Sequence, residues 1–286
     1  MDVLKKITAI KAAIEKQKNL GKSVGFIPTM GFLHEGHLSL VRESLRQTDC
    51  TVVSIFVNPT QFGPEEDLEE YPRDLERDSD LLLKLGTDMV IIPDKEEMYP
   101  TGFKTYVEVT DLQDKFEGQS RPGHFRGVCT VVLKFFEIVN PDLAYFGQKD
   151  AQQAILIKKM VRDLNLAVDI RVLPTVREKD GLALSSRNVY LSKEQRKSAL
   201  CLVKSLKEAD RLIEAGEKDS WIIKREMKRL VDAESFARLD YIEIVDLENL
   251  DPLDKIEGDA LILVAVYFGK VRLIDNMVMR LRSEVS

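Results

Sequence analysis

The sequence predicts an α/β fold in which helices cover both faces of a parallel sheet. Strand-like and helix-like segments alternate up to about residue 176, as they do in chains built from βαβ units. The stretch TVVSIFV at 51–57 is almost continuously apolar, which is typical of a strand buried on both faces. Beyond residue 176 the alternation stops. We therefore predict a Rossmann-like, doubly wound domain over residues 1–176 and a smaller C-terminal α+β domain over residues 177–286.

Each element is predicted from a local pattern. The N-terminal stretch carries lysines at helical spacing, which indicates an amphipathic helix rather than a signal peptide. Pro28 should end the first buried strand, because proline has no N–H for a central ladder. The predicted strands are, in order, 24–27, 51–57, 89–92, 104–109, 143–146, 168–172, 241–245, 261–268 and 271–279. Helices are predicted between them and over most of 192–235, and residues 268–271 fit a tight hairpin.

Composition and charge narrow the functional classes. The net charge is −6 and the basic residues are interspersed with acidic ones, which disfavours nucleic acid or an anionic membrane as a partner. No apolar run is long enough to cross a bilayer. The three cysteines are widely separated and form no CxxC, so we expect buried core thiols in a reducing cytoplasm and no structural zinc site.

The segment GFIPTMGFLHEGHLSL at 25–40 is the strongest functional pattern. If a helix begins near Glu35, His34 and His37 share one face at its N-terminal end, where unpaired N–H groups and the helix dipole suit phosphate. The dipole should also keep both imidazoles near neutral, so that they donate hydrogen bonds. Gly31 and Gly36 would give the backbone freedom that a tight turn needs. A core histidine pair beside a structural turn is the alternative.

Further polar clusters follow other predicted strands at their carboxyl ends, where open parallel sheets bind ligands. They are Asn58 with Gln61, Lys149 with Gln153, and Ser185 to Arg187. Cations, imidazoles and hydroxyls suit a polyphosphate, whereas neutral amides suit a hydroxy acid. The sequence has no strand followed by GxGxxG and no GxxxxGK[ST], which excludes a P-loop and disfavours an NAD site.

Four blocks extend this pattern over most of residues 24–191: PTMGFLHEGH, SIFVNPTQFGPEEDLEEYPRD, RPGHFRGVCTVVLKFFEIVNPDLAYFGQKDAQQ and PTVREKDGLALSSRN. In this order they resemble the pantoate–β-alanine ligase family, within the HxGH nucleotidyltransferase superfamily. The resemblance implies that ATP activates pantoate as pantoyl adenylate with release of pyrophosphate. The amine of β-alanine then displaces AMP to give pantothenate, a coenzyme A precursor. It also implies a cytoplasmic homodimer whose C-terminal domain covers the active site.

The resemblance further assigns residues by match to these blocks. His34, His37, Lys149 and Arg187 would be catalytic. Gln61 and Gln153 would hold pantoate, with Gln61 also near β-alanine and Asn58 close by. Mg²⁺ should bridge the phosphates, and the sequence does not identify protein ligands for it. ATP would contact Met30, Gly31, Phe32, Leu33, His34, Glu35, Gly36, His37, Gly147, Gln148, Lys149, Asp150, Val176, Leu184, Ser185, Ser186 and Arg187.

The sequence allows two interpretations of some residues. Arg121, His124 and Arg126 belong either to a lid over the phosphates or to a solvated loop. We expect the acidic run at 65–70 to be a solvated flap rather than a metal site, and Trp221 to pack inside the second domain.

Two other functions are alternatives to the ligase. A nucleotidyltransferase that keeps the nucleotide in its product is disfavoured by Gln61 and Gln153, because its phosphorylated acceptor would need cations. A regulatory nucleotide-binding module is disfavoured because His37, Lys149 and Arg187 are all present.

Overall fold

The computed structural model describes residues 1–64, 66 and 68–280. The chain divides into two units. The first comprises Met1–Gln148 and Gln152–Pro174, and the second comprises Lys149–Ala151 and the chain from Thr175 onward.

The first unit contains a six-stranded sheet whose strand pairs are all parallel. Its strands are β1 (Asp2–Leu4), β2 (Val24–Thr29), β3 (Cys50–Ile55), β4 (Met89–Ile91), β5 (Leu143–Gly147) and β6 (Asp169–Leu173). They lie in the order β1-β4-β3-β2-β5-β6. The predicted parallel α/β architecture is therefore confirmed.

Seven α-helices flank this sheet or connect its strands. They are α1 (Ile7–Asn19), α2 (Glu35–Gln47), α3 (Leu75–Leu85), α4 (Lys95–Met98), α5 (Glu117–Ser120), α6 (His124–Val139) and α7 (Ala151–Asp163). Short 3-10 turns lie at Pro59–Gln61, Leu112–Asp114 and Gln148–Asp150.

Side chains of β2 alternate between two buried layers. Phe26 packs on the aromatic rings of α6, with its centroid 5.5 Å from that of Phe135. Ile27 points to the opposite face and joins a cluster formed mainly by α2, α3 and the neighbouring strands. Because both faces of the sheet are covered, nearly every residue of β2 and β3 is buried.

The prediction that Pro28 ends the first strand was wrong. β2 continues through Pro28 to Thr29, and Pro28 pairs in register with Ser54 of β3. On the other side, the register of β2 with β5 covers Gly25 and Phe26. The nitrogen of Pro28 faces the β5 side beyond this pairing, so no ladder hydrogen bond is lost there.

The strand predicted at 104–109 was also wrong. These residues are all described and form no strand. The N–H of Val107 instead donates to the hydroxyl of Thr130 at 3.0 Å, so a side chain takes the place of a neighbouring strand. Conversely β1, which pairs with β4, was not predicted, because three residues are too few to show a period.

The three cysteines are free and buried. Burial raises the pKa of Cys50 to about 11, and those of Cys129 and Cys201 to about 12. All three thiols therefore stay protonated at neutral pH, as expected of small core residues.

The second unit combines helices with an antiparallel three-stranded sheet in the order β7-β8-β9. Its longer elements are α8 (Lys193–Ser198), α9 (Cys201–Glu214), α10 (Ser220–Asp232), β7 (Ala237–Val245), β8 (Ala260–Phe268) and β9 (Val271–Met279). The predicted hairpin joins β8 to β9, with Gly269 at φ 63°. The prediction for Trp221 was wrong: it is 63% exposed at the start of α10, where the guanidinium of Arg225 lies over its ring.

Across the part of the chain that the structure describes, no helix has the length and apolar character needed to span a membrane.

Candidate active site

The strand order places a topological switch point between β2 and β5. From β2 the chain proceeds to β3 and β4 on one side, and it later resumes at β5 and β6 on the other. Ligands of open parallel sheets bind beyond the carboxyl ends of the strands at such a point. The HxGH segment follows β2 there, and Gly147 ends β5.

The two histidines lie side by side at the start of α2. The helix begins at Glu35, so His34 is its N-cap residue and His37 lies in its first turn. Their ring centroids are 4.1 Å apart. The N–H of Gly36 donates to Nδ1 of His34 at 3.2 Å, and the N–H of His34 donates to Nδ1 of His37 at 3.3 Å.

These contacts fix the tautomer of both rings. A nitrogen that accepts from a backbone N–H carries no proton, so each ring carries its hydrogen on Nε2. The predicted pair of neutral donors on one face is therefore consistent with the geometry. Gly36 is also needed for close approach, because an added Cβ would lie 2.9 Å from the His34 ring.

A buried carboxylate holds the turn between β2 and α2. Asp78 of α3 is 1% exposed, and it accepts hydrogen bonds from the N–H groups of Phe32 at 2.6 Å and Leu33 at 2.8 Å. Phe32 has φ 49° and Gly31 has φ 84°, so this turn has left-handed backbone that needs external support. Asp78 supplies that support.

The surroundings of Asp78 act on its pKa in two opposing directions. Burial raises the pKa of this carboxyl, while the two backbone hydrogen bonds and the guanidinium of Arg77 act in the opposite direction. Arg77 also donates to the carbonyl of Leu33 at 2.9 Å. Sequence reasoning missed Asp78, although it lies four residues before Leu82 on the buried stripe of α3. A carboxylate on an apolar stripe was the available signal.

The amide of Gln61 has a fixed orientation. Asn58 must turn its NH2 group toward the carbonyl of Gly127, which can only accept, at 3.1 Å. Its other amide hydrogen then meets Oε1 of Gln61 at 3.1 Å, and its Oδ1 accepts from the hydroxyl of Tyr99 at 2.8 Å. Gln61 therefore directs its Nε2 donor away from Asn58, towards the sulfur of Met30 at 3.0 Å.

The first turn of α6 lies directly behind Gln61. A Cβ added at Gly127 would lie 2.2 Å from the carbonyl oxygen of Thr60 and 2.6 Å from the nitrogen of Gln61. Only glycine allows the helix to approach the 3-10 turn so closely. Asn58 is 1% exposed and its amide hydrogens are both used within the protein, which makes it a support for Gln61.

The segment GHFRG is not a solvated loop. His124 begins α6 and is half-buried. One of its ring nitrogens forms a hydrogen bond with the guanidinium of Arg121 and the other with the carbonyl of Gln61. Arg121 is mostly buried and forms an ion pair with Glu66. Arg126 is exposed, and its guanidinium lies 4.9 Å from the ring centroid of Tyr106. Within the acidic run at 65–70, residues 65 and 67 lie outside the described residues.

Two adjacent glutamines at the start of α7 have different surroundings. Gln152 is 2% exposed and anchors the loop before α6. Its Nε2 donates to the carbonyls of Leu112 and Lys115, and its Oε1 accepts from the N–H of Glu117. Gln153 is half-buried, and within the described residues its amide has no protein hydrogen bond. It therefore has capacity for a ligand.

In the second unit a short ladder brings the remaining predicted nucleotide residues together. The N–H of Leu184 donates to the carbonyl of Val176 at 3.0 Å, which places these two residues opposite each other. Ser185 follows, and its hydroxyl accepts from the N–H of Arg187 at 3.2 Å. The chain therefore leads from this ladder through a turn closed by the Ser185 hydroxyl directly to Arg187.

This ladder and the Lys149 turn are both tied to β9. Arg177 makes a two-point ion pair with Asp275, with N–O distances of 2.6 Å and 2.9 Å. Asn276 donates to the carbonyl of Lys149 at 2.8 Å. Asp275 and Asn276 are nearly fully buried, and sequence reasoning missed them. Two polar residues inside an otherwise apolar strand were the signal that could have found them.

The described residues do not supply a metal site of their own. Among them no group of three or more His, Cys, Asp or Glu side chains is arranged to hold a metal ion. In the first unit, the imidazole Nε2–H groups of His34 and His37 and the amide N–H of Gln61 fit anionic oxygen and not a cation.

The chain is similar to known proteins over nearly its whole length. A family model described as pantoate-beta-alanine ligase matches residues 2–278. The chain belongs to the pantoate–β-alanine ligase family. It is 57% identical over 278 residues to a pantothenate synthetase of Caldicellulosiruptor bescii, covering 97% of this chain and 99% of the relative. It is 54% identical over 279 residues to that of Thermotoga petrophila, covering 98% of this chain and 100% of the relative.

Solved structures of the family have the same fold. Pantothenate synthetase from Thermus thermophilus aligns with a TM-score of 0.93 at 46% identity, covering 97% of this chain and 99% of that one. Pantoate-beta-alanine ligase from Francisella tularensis, complexed with beta-gamma ATP and beta-alanine, aligns with a TM-score of 0.80 at 34% identity, covering 97% of each chain. This member of the pantoate–β-alanine ligase family is therefore an enzyme, an ATP-binding ligase of pantothenate biosynthesis.

Proposed function

We propose that the enzyme joins pantoate to β-alanine in two steps. In the first, a carboxylate oxygen of pantoate attacks the α-phosphorus of ATP, the bond to the β-phosphate breaks, and pyrophosphate leaves. In the second, the β-alanine amine attacks the acyl carbon of pantoyl adenylate, AMP leaves, and the amine loses a proton. The observation that carries this proposal is the pair of Nε2–H donors of His34 and His37 at the switch point.

Phosphoryl transfer of this kind needs positioning and charge stabilisation more than covalent chemistry. We propose that His37, with His34, donates to the phosphate oxygens as negative charge builds up on the departing pyrophosphate. Both rings are held by backbone N–H groups, so they need no reorganisation during the reaction. Met30 to His37 would form the wall against ATP, with Asp78 fixing their turn.

For pantoate, we propose that Gln61 and Gln153 provide the binding amides. Nε2 of Gln61 donates towards the sulfur of Met30. Its second hydrogen suits a carboxylate or hydroxyl oxygen of pantoate and does not suit an ammonium group. We therefore place the amine of β-alanine away from Nε2 of Gln61. The role of Asn58 is to hold that amide.

The second unit would supply the cations. We propose that Lys149 and Arg187 neutralise phosphate charge, and that Val176 and the ladder around it contact the nucleotide together with Gly147, Gln148 and Asp150. Residues 1–176 would bind ATP and pantoate, and residues 177–286 would cover the site. The anchoring of Arg177 by Asp275 supports a rigid nucleotide loop.

Mg²⁺ is proposed as a companion of ATP. Since the described residues offer no cation ligand set, the phosphates themselves would hold the ion, and bound Mg²⁺ would supply charge neutralisation there. We also propose a homodimer located in the cytoplasm, where the three free thiols would stay reduced. Light scattering coupled to size exclusion would measure the oligomeric state.

The decisive experiment is isotope exchange between pyrophosphate and ATP, with Mg²⁺ and without β-alanine. Exchange that requires pantoate establishes the acyl adenylate. Exchange that is indifferent to pantoate, or formation of ADP when all substrates are present, would refute the mechanism. If exchange is absent, AMP formation is measured with β-alanine present. Formation of AMP would mean that pyrophosphate release waits for the amine, and no AMP would mean that pantoate is the wrong acid substrate.

A further inference from the structure

A hydrogen-bonded chain of side chains lies behind the Gln61 backbone, outside the catalytic set described above. Nδ1 of His124 lies 2.8 Å from the carbonyl oxygen of Gln61, and Nε2 of His124 lies 3.0 Å from Nη1 of Arg121. Nε of Arg121 donates to Glu66 at 2.9 Å. We infer that His124 is a positioning residue for the acid substrate, acting through the Gln61 peptide to aim the Gln61 amide.

The direction of each hydrogen bond in this chain follows from its partners. A carbonyl can only accept, so Nδ1 of His124 donates to Gln61. A guanidinium can only donate, so Nε2 of His124 accepts from Arg121. His124 is therefore neutral with its proton on Nδ1, the opposite tautomer to that of His34 and His37. Arg121, in turn, is held by Glu66.

Gln61 is thus held at two places by independent groups. Its side-chain oxygen accepts from Asn58. Its backbone carbonyl accepts a short hydrogen bond from His124, at 2.8 Å, and a longer one from Nη2 of Arg121, at 3.5 Å. Asn58 fixes the amide oxygen, and His124 fixes the peptide from which the side chain extends, so together they restrict the direction in which Nε2 points. Pre-orientation of this sort lowers the entropy lost when a ligand is bound. The inference rests on the proposed role of Gln61 with pantoate.

A matched pair of substitutions separates positioning from simple structural support. In His124→Asn the amide nitrogen can occupy the place of Nδ1 and still donate to Gln61, but nothing reaches Arg121. In His124→Gln the amide reaches the place of Nε2 and can still accept from Arg121. The Gln61 carbonyl then loses its 2.8 Å hydrogen bond and keeps only the longer one from Nη2 of Arg121, at 3.5 Å. Arg126→Gln is the control, since Arg126 lies in the same helical turn and is exposed.

The readout is steady-state kinetics for all three substrates, with thermal unfolding of each variant. We expect His124→Gln to raise the KM for pantoate about tenfold, the loss of one well-placed hydrogen bond to a charged ligand. The KM for ATP and the kcat at saturating pantoate should stay within about threefold of wild type, a change worth less than 1 kcal/mol. His124→Asn and Arg126→Gln should keep the pantoate KM within the same limit.

Equal pantoate KM values in His124→Asn and His124→Gln would overturn the inference, as would parallel increases in the KM for ATP and pantoate. If His124→Gln does not fold, a folded His124→Asn with a pantoate KM raised tenfold would overturn it as well. Wild-type enzyme without pantoate-dependent exchange would instead refute the proposed function. An effect of Arg126→Gln on the KM for ATP would revive the alternative of a phosphate lid.

Discussion

Gly127→Ala should lower the stability of this enzyme and raise its KM for pantoate. This is expected although alanine is the best helix former and glycine is the poorest after proline. Gly127 lies inside α6, where alanine is favoured over glycine by roughly 1 kcal/mol. The new Cβ, however, would lie 2.2 Å from the carbonyl oxygen of Thr60, 2.5 Å from its carbon and 2.6 Å from the nitrogen of Gln61. These are backbone atoms, so no side-chain rotation can relieve the clash.

The size of the effect follows from these distances. Restoring an ordinary contact of about 3.4 Å requires the 3-10 turn at Pro59–Gln61 to move by about 1 Å, because α6 is fixed by its buried face. Overpacking of this kind typically costs about 1–3 kcal/mol. After the gain of roughly 1 kcal/mol in helix propensity, we expect the free energy of unfolding to fall by up to about 2 kcal/mol. The KM for pantoate should also rise about tenfold, because the hydrogen bond from Asn58 to the Gly127 carbonyl would stretch.

Urea unfolding and steady-state kinetics test this prediction together. Gly258→Ala is the control, since an added Cβ there meets nothing within 4 Å, and its stability should change by less than about 0.5 kcal/mol. A Gly127→Ala enzyme that is as stable as wild type, or more stable, with an unchanged pantoate KM would show that α6 does not fix Gln61.

Three further predictions concern the catalytic groups and their supports. His37→Ala and Lys149→Ala should each lower kcat at least about a hundredfold while circular dichroism stays native; normal turnover would contradict the assigned roles. Asp78→Ala leaves two buried N–H groups unpaired and should lower kcat/KM for ATP by more than tenfold, whereas an unchanged value would show that the turn holds itself. Burial and the neighbouring Arg121 guanidinium lower the pKa of His124 from 6.5 to about 4, so its contribution to stability is full above about pH 6.5 and is lost as the pH falls toward 4. Between pH 6.5 and 4, the free energy of unfolding of wild type should therefore fall by up to about 3 kcal/mol more than that of His124→Gln. Chemical unfolding measures it, and parallel curves of unfolding free energy against pH for the two proteins would contradict the prediction.

The parts of the fold that the sequence predicts are those with a local signal. The apolar run at 51–57 and the hairpin at 268–271 depend on the residues within them. The structure has a strand at Cys50–Ile55 and a hairpin between β8 and β9. The errors arose where a distant partner decides the outcome. Pro28 stays in β2 because the β5 register covers only earlier residues, and the stretch at 104–109 has a Thr130 hydroxyl beside it in place of a strand.

The candidate site divides in the same way. His34 and His37 are three residues apart, so the N-terminal turn of one helix places them together whatever else the chain does. Asp78 reaches its partners across more than forty residues, and His124 reaches Gln61 across 63. The hydrophobic periodicity of a sequence does not indicate which distant residues pair. An alternating pattern can show that a residue is buried, but not which backbone atom it meets.

The hydrogen bonds of the first unit suggest why its donors are neutral. In the proposed first step a carboxylate approaches a polyphosphate, so the two reactants repel each other. A group that binds the ground state and the transition state equally lowers KM without raising kcat, so a catalytic donor must bind more strongly as the charge moves. The donors of His34, His37 and Gln61 are uncharged and held from behind by protein atoms. Under the proposed mechanism, their hydrogen bonds would strengthen as charge shifts towards the departing pyrophosphate. The proposed cations, Lys149 and Arg187, belong to the second unit.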